Sequence, residues 1–199
     1  MAKPAQILTL HVSIDDVAPP VWRRVQVDGD ITLRNLHHML QASFGWTSSH
    51  LHQFDIEDDT YAMLDNEYVL DLIEAPGQGP LDDRKAKLGR LVYQGQRFIY
   101  LYDFGDSWTH TIHVESITEG PEKLGYATVI DGAGACPPED VGGPPGYIDF
   151  LDTIERRPRS QEAREMLDWA GGEFDANVFD KRAANAALLR MASNGWGKK

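Results

Sequence analysis

The sequence predicts an α+β fold: a mixed β-sheet with one helix packed on a face, in a β-grasp-like arrangement, followed by a helical C-terminal segment. Three patterns predict it. Apolar residues alternate with period two before residue 28, from residue 50 and from residue 97. A single amphipathic helix stands between the first two sets. The chain turns helical again only after a Gly/Pro-rich stretch near residue 140.

In chain order, Leu8, Leu10, Val12 and Ile14 alternate with polar neighbours, Asp15–Pro20 interrupts, and Val21, Arg23, Val25 and Val27 resume the alternation around Trp22. This describes a hairpin with an irregular loop. Leu33, Leu36, His37, Leu40 and Phe44 then share one helical face, with Thr32 as N-cap and Gly45 as stop. In HLHQFDIED the period returns to two, so His50, His52, Phe54 and Ile56 are expected on one face of a strand. Tyr61–Leu64 reads as a short companion strand, Asp65–Pro80 as an exposed acidic connection and Leu81–Leu91 as a short helix.

The clearest hairpin follows. Phe98, Tyr100, Tyr102 and Phe104 precede a Gly105-Asp106-Ser107 turn, and His110, Ile112 and Val114 follow it; Gly permits positive φ, and Asp can bond its own backbone two residues on. A strand near Ala127–Ile130 leads into GAGACPPEDVGGPPGY, too rich in Gly and Pro for helix or interior strand. A loop of that length in a compact domain is usually functional or disordered. Helices over Tyr147–Arg157, Gln161–Ala170 and Asp180–Met191 complete the chain.

With 199 residues and 42% hydrophobic content, one domain spanning 1–199 is expected, its core over about 5–150 and a helical extension over about 147–193. Nineteen basic against 31 acidic residues give a net charge of -12, which weighs against attraction to nucleic-acid phosphates or an anionic membrane. The dense basic groups are Arg23-Arg24 and Arg156, Arg157 and Arg159, the latter read as a solvated helix end. Cys136 is the sole cysteine, so an intramolecular disulfide and a multi-thiolate zinc site are excluded. The first residues lack a secretory signal, and no run approaches the roughly 20 apolar residues of a membrane span. A cytoplasmic protein is expected, its partner a protein or a small-molecule ligand.

Chemistry concentrates in YLYDFGDSWTHTIHVE, residues 100–115. Histidines two apart on a strand share a face, and Asp103, Asp106 and His110 flank a turn. Together His50, His52, Asp103, Asp106 and His110 form a candidate cage for zinc, manganese or iron, with Glu139 or Asp140 brought by the long loop and Glu139 as candidate base. The competing reading makes Asp103 and Asp106 turn acceptors, His110 a satisfied strand histidine, and His50 and His52 caps of an aromatic cluster. His37, on an apolar helix face, reads as a core histidine. Trp22, Trp46, Trp108 and Trp169 read as packing residues without a basic groove beside them. The acidic neighbours of Cys136 disfavour a thiolate, Ser107 lacks a nucleophile-elbow setting, and no phosphate-cradling Gly-rich loop with Lys-Ser/Thr occurs.

The ordered motifs PPVWRRVQV, LHHMLQASFGW, HLHQF, YLYDFGDSWTH and CPPEDVGGPPGY resemble the plasmid pRiA4b ORF-three-like family from about Leu8 to the last helix. The resemblance implies a compact α+β domain met in plasmids and other mobile elements, and supplies no catalytic residues. His37, His50, Asp103, Asp106, His110, Glu139 and Asp140 fall inside its motifs.

The function expected is that of a non-enzymatic binding or accessory module. Its acidic and aromatic pocket would comprise Tyr102, Trp108, Glu139, Asp140 and Tyr147, where the 103–110 hairpin meets the 137–147 loop. The alternatives are a metal-dependent hydrolase, with phosphoesters as a substrate class, and a nucleic-acid accessory protein of a mobile element.

Overall fold

The computed structural model describes residues 4–64 and 79–195, so most of the expected acidic connection over 65–80 lies outside the described residues. Eight strands form one sheet: β1 (Ala5–Ile14), β2 (Trp22–Asp28), β3 (His52–Ile56), β4 (Asp59–Ala62), β5 (Leu81–Asp82), β6 (Arg97–Tyr102), β7 (Trp108–Gly120) and β8 (Thr128–Ala133). Their spatial order is β5-β4-β3-β6-β7-β1-β2-β8. Every neighbouring pair is antiparallel except β4 with β5, so the sheet is mixed. The helices among the described residues are α1 (Leu33–Phe44), α2 (Leu88–Leu91), α3 (Gly143–Arg156), α4 (Gln161–Trp169) and α5 (Lys181–Ser193).

Alternation decides which sheet face is dry. Leu8, Leu10 and Val12 of β1, Val25 and Val27 of β2, and Ile112 and Val114 of β7 are buried, as are Leu33, Leu36 and Leu40 of α1. They join one apolar cluster that also holds Tyr147 and Phe150 of α3 and Leu188 of α5. Each large side chain so buried contributes about 1.5–3 kcal/mol relative to exposure. On the other face Trp22 stacks on His11, and Arg24 grips Glu115 through two nitrogens at 2.7 and 2.9 Å. Arg156 and Arg157 likewise pair with Asp152 and Glu162, the solvated helix end expected.

Helix α1 begins where Thr32 accepts a bond from the Asn35 amide at 3.1 Å and ends where Gly45 takes a φ of 106°. Helix α3 starts at Gly143, inside the stretch expected to exclude helix. Pro144 and Pro145 occupy its first turn, where a proline's missing N–H would have no intrahelical partner and its fixed φ suits the helix. The expected helix over 81–91 divides into β5 and the single turn α2. At the outer edge of the sheet, Asn185 of α5 receives the Val129 amide on Oδ1 and donates Nδ2 to the Val129 carbonyl, both at 2.9 Å.

Candidate functional site

Three loops meet at one end of the sheet: residues 45–51 after α1, residues 103–107 between β6 and β7, and residues 134–142 between β8 and α3. Trp46 fastens the first to the third, its indole N–H donating to Pro137 O at 3.0 Å. Asp106 fastens the second to the third by accepting the Gly142 amide at 3.0 Å, and the Asp103 amide donates to Leu51 O at 2.9 Å, joining the first to the second. Ser48, Asp103, Ser107 and Asp140 all hold φ between 56° and 58°. Such left-handed backbone costs non-glycine residues about 1–3 kcal/mol and clusters at functional sites. The turn expected to bend at Gly105 instead takes its positive φ at Asp103 and Ser107.

The imidazole of His50 lies where these loops converge. Asp103 Oδ2 stands 3.6 Å from Nδ1, Glu139 Oε2 stands 3.5 Å from Nε2, and Asp140 Oδ1 stands 3.0 Å from the same nitrogen. Nε2 is hidden from solvent yet has no hydrogen-bond partner, so the close Asp140 oxygen is not an in-line acceptor. One ligand atom from each of His50, Asp103 and Asp140 lies within 4.8 Å of the others. Among the described residues no lysine or arginine pairs with Asp103, Glu139 or Asp140, which leaves carboxylate charge gathered on one imidazole.

Neighbouring groups hold the carboxylates in place. Glu139 Oε1 accepts from the Thr47 amide at 2.8 Å and from the Thr47 hydroxyl at 3.1 Å. The Tyr102 hydroxyl reaches both Glu139 oxygens at 3.2 Å and accepts the Ser49 amide at 3.2 Å. Burial and the Glu139 carboxylate push the Tyr102 phenol above its ordinary range, so it stays protonated and donates. Asp103 turns its other oxygen inward, where Oδ1 accepts the Gly105 amide at 2.9 Å.

Several residues expected in the site stand elsewhere. His52 opens β3 and is wholly buried, its Nε2 3.0 Å from Asp83 Oδ2 and its ring stacked on His37 at 3.6 Å between centroids. His50 precedes that strand in an irregular segment, so the two-residue spacing does not put both rings on one face. His110 is buried too, its Nδ1 3.0 Å from Trp108 O and 3.2 Å from Tyr100 O. Both partners are carbonyls, so Nδ1 carries the proton. Burial pulls His110 down to about 4 and His37 well below the ordinary histidine range. Burial also lowers His52, against the opposing pull of Asp83. Asp106 serves the loop junction rather than the cluster, and Trp108 and Tyr147 are core residues.

The anchors Thr47, Ser49 and Gln41 escape the sequence reading. Gln41 Oε1 accepts the Ser48 amide at 2.9 Å while its Nε2 donates to Tyr100 at 3.0 Å. For Thr47 and Ser49 the signal is the run Thr47-Ser48-Ser49 directly before His50, short hydroxyl side chains suited to fixing a loop.

A family model described as plasmid pRiA4b ORF-3-like protein matches residues 6–183. Uncharacterized protein y4hQ of Sinorhizobium fredii (strain NBRC 101917 / NGR234) is 37% identical over 206 residues, covering 98% of this chain and 96% of its own. The crystal structure of MM3350, a protein of unknown function from Methanosarcina mazei Go1, matches with a TM-score of 0.75 at 29% identity, covering 90% of this chain and 98% of that one.

Proposed function

The chain belongs to the plasmid pRiA4b ORF-3-like family, and on that premise we propose that it is a binding module whose ligand is a divalent transition cation, held by His50, Asp103 and Asp140 with Glu139 alongside. The observation that carries this reading is His50 Nε2, which is shut off from water, lacks a hydrogen-bond partner and is flanked by two carboxylates. A nitrogen lone pair beside unneutralised carboxylates suits zinc or manganese. Asp140 is 69% exposed and Asp103 only 12%, so a cation would enter from the Asp140 side.

Titration calorimetry with zinc and with manganese tests the reading. About one equivalent is expected to bind the parent, and His50→Ala and Asp140→Asn are each expected to weaken it by roughly tenfold or more, as losing a metal-site group does. Asp103→Asn is the sharpest variant, because an amide oxygen can keep the Gly105 bond while a neutral group replaces the carboxylate toward His50. A parent that binds neither metal, or variants that bind as it does, overturns the reading.

The hydrolase alternative draws support from Glu139, fixed by Thr47 and Tyr102 within 3.5 Å of His50 and placed to take a proton from a cation-bound water. Under it, metal-loaded protein cleaves an activated phosphoester, and Glu139→Gln abolishes turnover while cation binding persists. Without turnover above buffer, the module stands as a binder alone.

A further inference from the structure

Arg23 is a buried cation without an anion. It lies on the core face of β2 with 1% of its surface exposed. Its Nε donates to Ser43 O at 3.1 Å, and its Nη1 donates to Trp22 O and Ala133 O, each at 2.8 Å. Among the described residues Nη2 has no hydrogen-bond partner, and no carboxylate pairs with the guanidinium. The guanidinium carbon stands 3.8 Å from the centre of the Phe179 ring and 4.9 Å from that of Phe44, so two aromatic faces pack against it. Asp180 turns Oδ1 to the Arg182 and Ala183 amides at the start of α5 and makes no bond to the guanidinium.

A cleft of about 250 Å³ opens over this group, between the end of α1 at Phe44 and Gly45 and the first turns of α5 at Ala183 and Ala187. Its walls are mostly small and apolar; Arg23 is the one basic side chain in its lining and Asp180, held by the α5 amides, the one acidic one. Burying an unpaired charge costs several kcal/mol, and three neutral carbonyls return only part of that. A guanidinium edge with a spare N–H matches a carboxylate, and the alanine-lined walls match a short hydrocarbon body. A phosphate dianion would need more donors than one edge supplies.

We propose that this cleft binds a small monocarboxylate with a short apolar chain or ring, its carboxylate on Arg23 Nη2 and its hydrocarbon part against Phe44, Ala183 and Ala187. The site is separate from the His50 cluster and does not depend on it.

The probes are butanoate, hexanoate and benzoate, each set against its neutral amide, followed by calorimetry and by amide chemical shifts of the labelled protein. The acids are expected to bind at millimolar concentration or below, the amides at least about tenfold more weakly because the charge-assisted bond is lost. Shifts should concentrate at residues 42–45 and 178–187. Ala187→Phe fills the cleft while leaving Arg23 and its three carbonyls intact, and it should abolish binding. His50→Ala should bind as the parent does. Arg23→Gln is the direct variant, but it also releases the α1 terminus, so the cleft-filling change decides if it fails to fold. Absence of any response to the acids, equal binding of acid and amide, or unchanged binding in Ala187→Phe overturns the proposal.

Discussion

Asp103 divides its two oxygens between fold and site. Oδ1 closes the hairpin turn on the Gly105 amide, and Oδ2 faces His50. The two readings open at the sequence level, turn acceptor and metal ligand, therefore describe one side chain, and Asp103→Ala would confound them. A second consequence at this scale concerns acid. His110 sits at about 4 against an ordinary 6.5, and burial lowers His37 and His52 in the same direction. The unfolded chain takes up protons on these rings at higher pH than the folded one. The His110 contribution to stability is thus complete above pH 6.5 and is lost as pH falls from 6.5 toward 4, and His37 and His52 act in the same direction. Urea midpoints measured across that interval should fall with acidity, and His110→Gln should flatten the slope while lowering stability at neutral pH.

Elements with strong periodicity and good punctuation were legible in advance: β1, β2, β6, β7 and α1, the last with its Thr32 cap and Gly45 stop. Thr32→Ala should cost about 1 kcal/mol in urea unfolding, the usual worth of such a cap. Legibility failed where a few residues of irregular backbone redirect a side chain. His50 and His52 part company because the strand begins at His52, and periodicity carries no information about a residue one position outside it. Asp83, in an acidic stretch, is fully buried because Arg34 and His52 reach it from 49 and 31 residues away, a pairing that local pattern cannot reveal. The loop junction is equally tertiary. Gly143 holds a φ of 68° against the Asp106 carbonyl, where a methyl group would overlap the oxygen. Gly143→Ala should cost about 1–3 kcal/mol. By pushing the third loop off the second, it should also weaken cation binding, which the same calorimetry would register.

At the scale of the molecule, the core ties the sheet to helices from both ends of the chain, whereas the candidate cation site draws on loops alone. A resemblance carried by five ordered motifs located those loops, but their convergence at one end of the sheet follows from strand order, which motif order does not encode. The same strand order leaves β8 as an outer strand, and there the amide of Asn185 engages the Val129 amide and carbonyl as a ninth strand would. An open edge is a template for another copy of the chain. Asn185→Ala should leave the monomer folded yet raise light scattering steeply with protein concentration, with Ile130, 37% exposed beside the gap, as the sticky contact. The Asn185 carboxamide, together with Lys181 Nζ on the Ile130 carbonyl at 3.2 Å, thereby governs how crowded these molecules can become before their sheets begin to join.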